Sequence, residues 1–140
     1  MSDANNSPMN AENSLNKKIL LADDDASMRR FLEVTLQRAG YMVVSAEDGL
    51  AAMKTAFSEK FDAVIADAMM PNMTGHDLCR MLRQNPEYNS IPLIILSGFA
   101  REITANIEQD CANVYLVKGA ELKDELIEKL TQLVGEKSEI

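Results

Sequence analysis

Tryptophan is absent from this 140-residue chain, histidine occurs once, at His76, and cysteine twice, at Cys79 and Cys111. One imidazole leaves His-based metal sites and His-centred triads almost nothing to build on. His76 reads as a surface residue at the start of a helix. The cysteines lack the close spacing of metal ligands and are too few for a disulfide framework, so they read as two reduced thiols. Lysine and arginine form no long run, the net charge is −8 and the pI is near 4.6. Both facts argue against direct contact with nucleic acid or with an anionic membrane, since each recruits basic patches. No apolar stretch approaches the length of a membrane span. The first residues, MSDANNSPMNAENSLN, lack the basic and apolar regions of a signal peptide. The expectation is a soluble cytoplasmic protein.

What is present is ordinary in amount and regular in order. Hydrophobic residues make up 46% and charged residues 26%, a composition suited to one globular domain with a real core. Residues 1–16 read as a disordered polar tail, 17–134 as the domain and 135–140 as a second polar tail with no room for another domain. From Lys18 strands and helices alternate. KILLA is a short apolar run; Met28, Phe31, Leu32, Thr35, Leu36 and Ala39 form a helical stripe that stops at Gly40. YMVVSA is β-branched and strand-like, and 49–59 carries Leu50, Met53 and Phe57 at helical spacing. FDAVIA leads to Asp67, then a loop marked by Pro71, Asn72 and Gly75. A helix with Leu78, Met81 and Leu82 inward follows, then the apolar IPLIIL. The segment 100–110, the fourth predicted helix, has only Ile103 and Ile107 as strong apolar positions. VYLV is the fifth strand, and Leu122, Leu126, Ile127, Leu130 and Val134 stripe the fifth predicted helix. The nine methionines read as core filler rather than as a binding surface. The pattern predicts an α/β fold: a five-stranded parallel sheet, doubly wound, with helices on both faces.

In such a sheet ligands gather outside the carboxyl ends of the strands. Strand 1 ends in Asp23-Asp24-Asp25, strand 3 in Asp67, strand 4 in Ser97 and strand 5 in Lys118. Asp25 suits the cap of the first helix. In the flavodoxin-like order 2-1-3-4-5, strands 1 and 3 are neighbours and Asp23, Asp24 and Asp67 converge. Crowded carboxylates repel unless a cation joins them, and Mg²⁺ (or Mn²⁺) is the hard divalent ion that takes carboxylates together with phosphate oxygens. Ser97 and Lys118 are then placed to hold a phosphoryl group, and a carboxylate beside it can be the nucleophile that forms an aspartyl phosphate.

These stretches resemble the receiver domain of bacterial two-component response regulators, in particular stand-alone chemotaxis-type members, over roughly 17–134. ILLADDDASMRR is similar to the family's first strand and acidic pair, DAVIADAMMPNMTG to its phosphoacceptor strand and loop, IILSG to its Ser/Thr position and VYLVK to its switch aromatic and lysine. The resemblance implies Asp67 as phosphoacceptor, with a histidine kinase or histidine phosphotransfer protein as donor. It implies a metal held by Asp24, Asp67 and the Met69 main-chain carbonyl, with Asp23 in support. Ser97 and Lys118 would bind phosphoryl oxygens. Inward movement of Ser97 would let Tyr115 turn in and reshape the face of predicted helix 4, strand 5 and predicted helix 5 for a downstream target protein. Met69, Gly98 and Phe99 would control access to the phosphoryl group, the two large apolar side chains screening it from water. Such a protein is a switch rather than a turnover enzyme.

Two positions depart from the family. Lys118-Gly119 replaces the usual Lys-Pro with its cis peptide; a cis bond before a non-proline costs about 2.5–4 kcal/mol, so a trans loop is expected and the placement of Lys118 is at stake. Thr74 stands where an acidic residue is common, at a position read as exposed. Two other readings compete. A phosphorylation-independent scaffold of the same fold is one. A haloacid-dehalogenase-like phosphohydrolase is the other, resting on Asp23-x-Asp25 and Lys118 and leaving Asp67 unexplained.

Overall fold

The computed structural model describes residues 16–99 and 111–135. Nine elements follow one another: β1 (Lys18–Ala22), α1 (Ala26–Arg38), β2 (Met42–Ala46), α2 (Gly49–Ser58), β3 (Ala63–Asp67), α3 (Gly75–Arg83), β4 (Leu93–Ser97), β5 (Val114–Val117) and α4 (Leu122–Val134). The fourth predicted helix, 100–110, and the polar segments 1–15 and 136–140 lie outside the described residues. The strands form one parallel sheet in the order β2-β1-β3-β4-β5.

Strand alternation divides the core in two. Leu20, Ala22, Val64, Ala66, Leu93 and Ile95 point to one side, where they meet Ala52 and Ala56 of α2 and Leu78, Cys79 and Leu82 of α3. Ile19, Leu21, Ala63, Ile65, Ile94, Leu96 and Leu116 point to the other, against Leu32 and Leu36 of α1 and Leu122, Leu126 and Leu130 of α4. β3 and β4 are buried along their whole length, as apolar strands covered on both faces must be.

Local chemistry sets the helix starts. Asp25 caps α1, its Oδ1 accepting from the Ser27 and Met28 amides at 2.9 and 3.2 Å. Asp48 caps α2 through the Ala51 amide at 2.8 Å. Thr74 and Asp77 form a reciprocal capping box on α3, so Thr74 is half-buried and structural rather than an exposed permissive position. Gly40, at φ +100°, ends the turn after α1 as expected of a helix-stop glycine.

Helix depth differs from the predicted stripes. In α2 the buried residues are Gly49, Ala52 and Ala56, while Leu50 and Phe57 are exposed. A Cβ at Gly49 would lie 2.2 Å from the Met73 carbonyl oxygen; this helix presses close to the loop after β3, and only small residues fit beneath it. In α3 the inward side chain is Cys79, not Met81. Met70 is core, but Met42, Met69 and Met81 are exposed, so methionine as core filler holds only in part.

The largest difference concerns the cysteines. Cys79 and Cys111 form a disulfide, not two reduced thiols. Thirty-two residues separate them, a spacing that says nothing about proximity; the packing of α3 against the lead into β5 brings them together.

Candidate functional site

The carboxyl ends of β1, β3 and β4 and the residue after β5 bring four side chains to one edge of the sheet. Asp23, directly after β1, is fully buried, Asp67 closes β3 at 7% exposure and Ser97 closes β4 at 2%. Asp24 is exposed beside them. One oxygen from each of Asp23, Asp24 and Asp67 lies within 4.8 Å of the others. Lys118 Nζ sits 3.1 Å from Asp67 Oδ2 and 3.5 Å from Asp23 Oδ2. The Lys118–Gly119 peptide is trans, there being no cis bond among the described residues, and Lys118 reaches both carboxylates all the same.

Backbone contacts lock the carboxylates in place. The Asp25 amide donates to Asp23 Oδ1 at 2.9 Å, and Arg29 Nη1 donates to the Asp23 carbonyl at 2.7 Å. The Met69 backbone amide also favours the ionised Asp67 carboxylate. Gly75 fits α3 against the end of β3: a Cβ there would stand 2.5 Å from the Asp67 carbonyl oxygen. Gly75 was read from sequence only as a turn marker, and this close approach is its second reason to be glycine.

The electrostatics are unbalanced. Burial pushes the Asp67 carboxyl up to about 6, against the pull of Lys118 and with the help of Asp23. For Lys118 burial acts downward, but Asp23 and Asp67 outweigh it and its pKa is raised. The Lys118 ammonium thus faces two carboxylates, with Asp24 as a third beside them. Asp23 Oδ2 accepts no hydrogen bond and has only the 3.5 Å approach of Lys118. A buried carboxylate oxygen so poorly satisfied, beside two more carboxylates, fits a hard divalent cation.

The remaining predicted residues surround this cluster. Ser97 Oγ donates to the Phe99 carbonyl at 2.9 Å and accepts from the Phe99 amide at 3.2 Å. Gly98 is exposed, with open space where a side chain would be. Met69 and Phe99, two residues past β3 and β4, are 63% and 61% exposed. Tyr115 lies half-buried in β5, its hydroxyl buried without a hydrogen-bond partner. Its ring stacks on His76, the centroids 5.8 Å apart and the planes inclined by 27°. His76 is therefore not a bland surface residue: it is half-buried, its Nδ1 also lacks a partner, and burial, then Arg80, lowers its pKa against the opposing effect of Asp77.

Sequence reasoning missed this stack, the disulfide and Arg83. Arg83 Nε donates to the Cys111 carbonyl at 3.2 Å, Nη1 to the Ile91 carbonyl at 2.8 Å and Nη2 to Asn113 Oδ1 at 3.1 Å. The polar position of Arg83 in the last turn of α3 was legible, but its partners lie far along the chain.

Comparison with known proteins follows the same lines. The family model of the response regulator receiver domain matches residues 19–131. The alkaline phosphatase synthesis transcriptional regulatory protein PhoP of Bacillus subtilis is 44% identical over 84 residues, covering 60% of this chain and 34% of that protein. The chemotaxis protein CheY of Pseudomonas aeruginosa is 34% identical over 122 residues, covering 84% of this chain and 98% of that one. Among solved structures, the response regulator TrrA of Thermotoga maritima, in complex with Mg²⁺-BeF, matches with a TM-score of 0.76 at 32% identity, covering 84% of this chain and 98% of that chain. The chain spans about a third of the length of several curated regulators that it matches.

Proposed function

The chain belongs to the response regulator receiver-domain family, whose members are Mg²⁺-dependent phosphoacceptor switches rather than turnover enzymes, and from that premise we propose that Asp67 is the phosphoacceptor. The observation that carries this reading is the position of its carboxylate, at the end of β3, 3.1 Å from Lys118 Nζ and clustered with Asp23 and Asp24. An Asp67 oxygen attacks the phosphorus of a phosphohistidine on a histidine kinase or phosphotransfer protein. The O–P bond forms, the N–P bond breaks, and the imidazole leaves with a proton.

Asp24, Asp67 and the Met69 carbonyl, with Asp23 behind them, are the groups that would hold Mg²⁺ (or Mn²⁺). The ion supplies the positive charge that lets a phosphoryl group approach three carboxylates. Lys118 holds a phosphoryl oxygen, and Ser97 a second one once its hydroxyl leaves the Phe99 backbone. That shift, with Tyr115, alters the face of β5 and α4, and this is the surface read as meeting the target. The domain is read as 17–134, flanked by polar segments 1–16 and 135–140. Among the described residues no helix is long and apolar enough to cross a membrane, which agrees with a cytoplasmic setting.

The competing readings each lose a leg. A phosphohydrolase of the Asp-x-Asp kind needs Asp25 free, and that carboxylate caps α1. A phosphorylation-independent scaffold was motivated by Gly119, yet Lys118 reaches Asp67 from a trans peptide. The test is intact-mass measurement after incubation with a small phosphodonor and Mg²⁺. One phosphoryl adduct is expected on the parent and none on Asp67→Asn or in chelator; an unchanged adduct on Asp67→Asn would sink the assignment.

A further inference from the structure

Two side chains that the phosphoryl site does not use lie a turn apart on α3, and both reach the chain around β5. His76 stacks on Tyr115. Cys79 is bonded to Cys111, which shortly precedes Tyr115 in sequence. Arg83, a further turn along α3, donates to the Cys111 carbonyl and to Asn113. The lead into β5 is thus fastened to α3 covalently at Cys111, while Tyr115 meets the same helix through its ring contact with His76.

The ring contact is unfavourable in one respect. It leaves the Tyr115 hydroxyl and His76 Nδ1 buried without hydrogen-bond partners among the described residues, whereas an outward Tyr115 would regain water for its hydroxyl. Something must hold the turned-in ring, and the disulfide is the covalent restraint nearest to it in sequence. Cys79 is fully buried and Cys111 half-buried, so Cys111 is the more accessible cysteine of the pair and the one at which an incoming thiolate would attack.

We propose that Cys79 and Cys111 form a redox site, exchanging with small or protein dithiols, whose oxidised form holds Tyr115 turned in and so raises the affinity of the carboxylate site for a phosphoryl group. The inference rests on Asp67 as phosphoacceptor and on inward Tyr115 as the partner of the phosphorylated state. In reduction, a thiolate of the dithiol attacks Cys111 Sγ and the Cys111–Cys79 bond breaks, the Cys79 sulfur leaving and taking a proton. The second thiolate of the reagent displaces Cys111, which takes the other proton, and the reagent departs as a disulfide. Two electrons and two protons pass to the protein, and oxidation runs the same steps backwards. Coupling between the two sites is reciprocal: if the disulfide favours phosphoryl binding, phosphorylation favours the disulfide.

The probe is beryllofluoride with Mg²⁺, titrated by calorimetry into the oxidised parent, the dithiol-reduced parent and Cys79→Ser/Cys111→Ser, with circular dichroism to confirm that each is folded. Oxidised protein should bind about 5-fold or more tightly than reduced protein, and the double-serine variant should match the reduced parent and ignore the dithiol. Equal affinity in the two redox states, a reversed order, or thiols that stay free under a disulfide oxidant would each overturn the redox proposal while leaving Asp67 as phosphoacceptor. Absence of beryllofluoride binding in every form would overturn the phosphoacceptor reading, and the coupling with it.

Discussion

The two faces of the sheet are built from different materials. The face under α1 and α4 is aliphatic: Leu32, Leu36, Leu122, Leu126 and Leu130 interdigitate with Ile and Leu of the strands, and all are essentially inaccessible. The face under α2 and α3 mixes the aliphatics Leu78 and Leu82 with Ala52, Ala56, Cys79, Tyr88 and Met70, adds a disulfide, and carries two buried polar atoms without hydrogen-bond partners among the described residues, His76 Nδ1 and Tyr115 Oη. Close-packed aliphatics have one good arrangement. Small residues, a stacked ring pair and an unsatisfied hydroxyl leave room for a second one. Tyr115 and the loop after β3, the parts proposed to switch, pack on the α2–α3 side; on the other side the buried faces of α1 and α4 serve as the anvil.

The sharpest way to break this comparison is to damage the anvil. Leu126→Ala removes a fully buried side chain and should cost about 2–5 kcal/mol in denaturant unfolding, with little change in the affinity of the folded protein for beryllofluoride. A large affinity change in the folded variant would mean that the two faces are not separable.

Reducing the disulfide is next in size. Closing a loop across thirty-two residues of separation restricts the unfolded chain by about 3–4 kcal/mol in the chain-entropy account. Hydrogen exchange should then accelerate in α3 and β5 more than in α1 and α4. Uniform acceleration over all helices would remove the asymmetry.

The acidic edge joins the two faces, and its titration gives a third test. The Asp67 carboxyl is raised from its ordinary 3.8 to about 6 by burial first. Between those values the folded state binds more protons than the unfolded one, so stability falls as pH rises through the window, by about 3 kcal/mol over the two units. In chelator, Asp67→Asn should therefore be more stable than the parent at pH 7, with the gap closing as pH drops below 6 towards 4. Mg²⁺ should narrow the gap at pH 7. A gap independent of pH would contradict the burial argument.

The smallest expected effect concerns lifetime. Met69 and Phe99 are exposed apolar side chains at the mouth-side ends of β3 and β4, and neither can orient an attacking water. Met69→Asn and Phe99→Glu should hasten decay of the phosphorylated protein severalfold, measured by loss of the adduct in intact mass. If the parent already decays within seconds and neither change accelerates it, the screening role is wrong.

Legible in the chain were the alternation of the described elements, the strand order through the resemblance, and the carboxylates at the strand ends. These are local or periodic signals: β3 and β4 read as apolar because both faces are covered, and Asp23, Asp24, Asp67, Ser97 and Lys118 are found by looking where strands end. How deeply each helix lies and which distant residues meet came from packing instead. Periodicity gives a helix a face but not a distance from the sheet, so the bulky Leu50 and Phe57 looked internal, while the close seat of α2 against Met73 admits Gly49, Ala52 and Ala56 instead. Cys79 with Cys111, His76 with Tyr115 and Arg83 with Asn113 are contacts between residues far apart in sequence. Nothing in the intervening chain encodes their distance; it follows from a parallel crossover that lays α3 beside the start of β5.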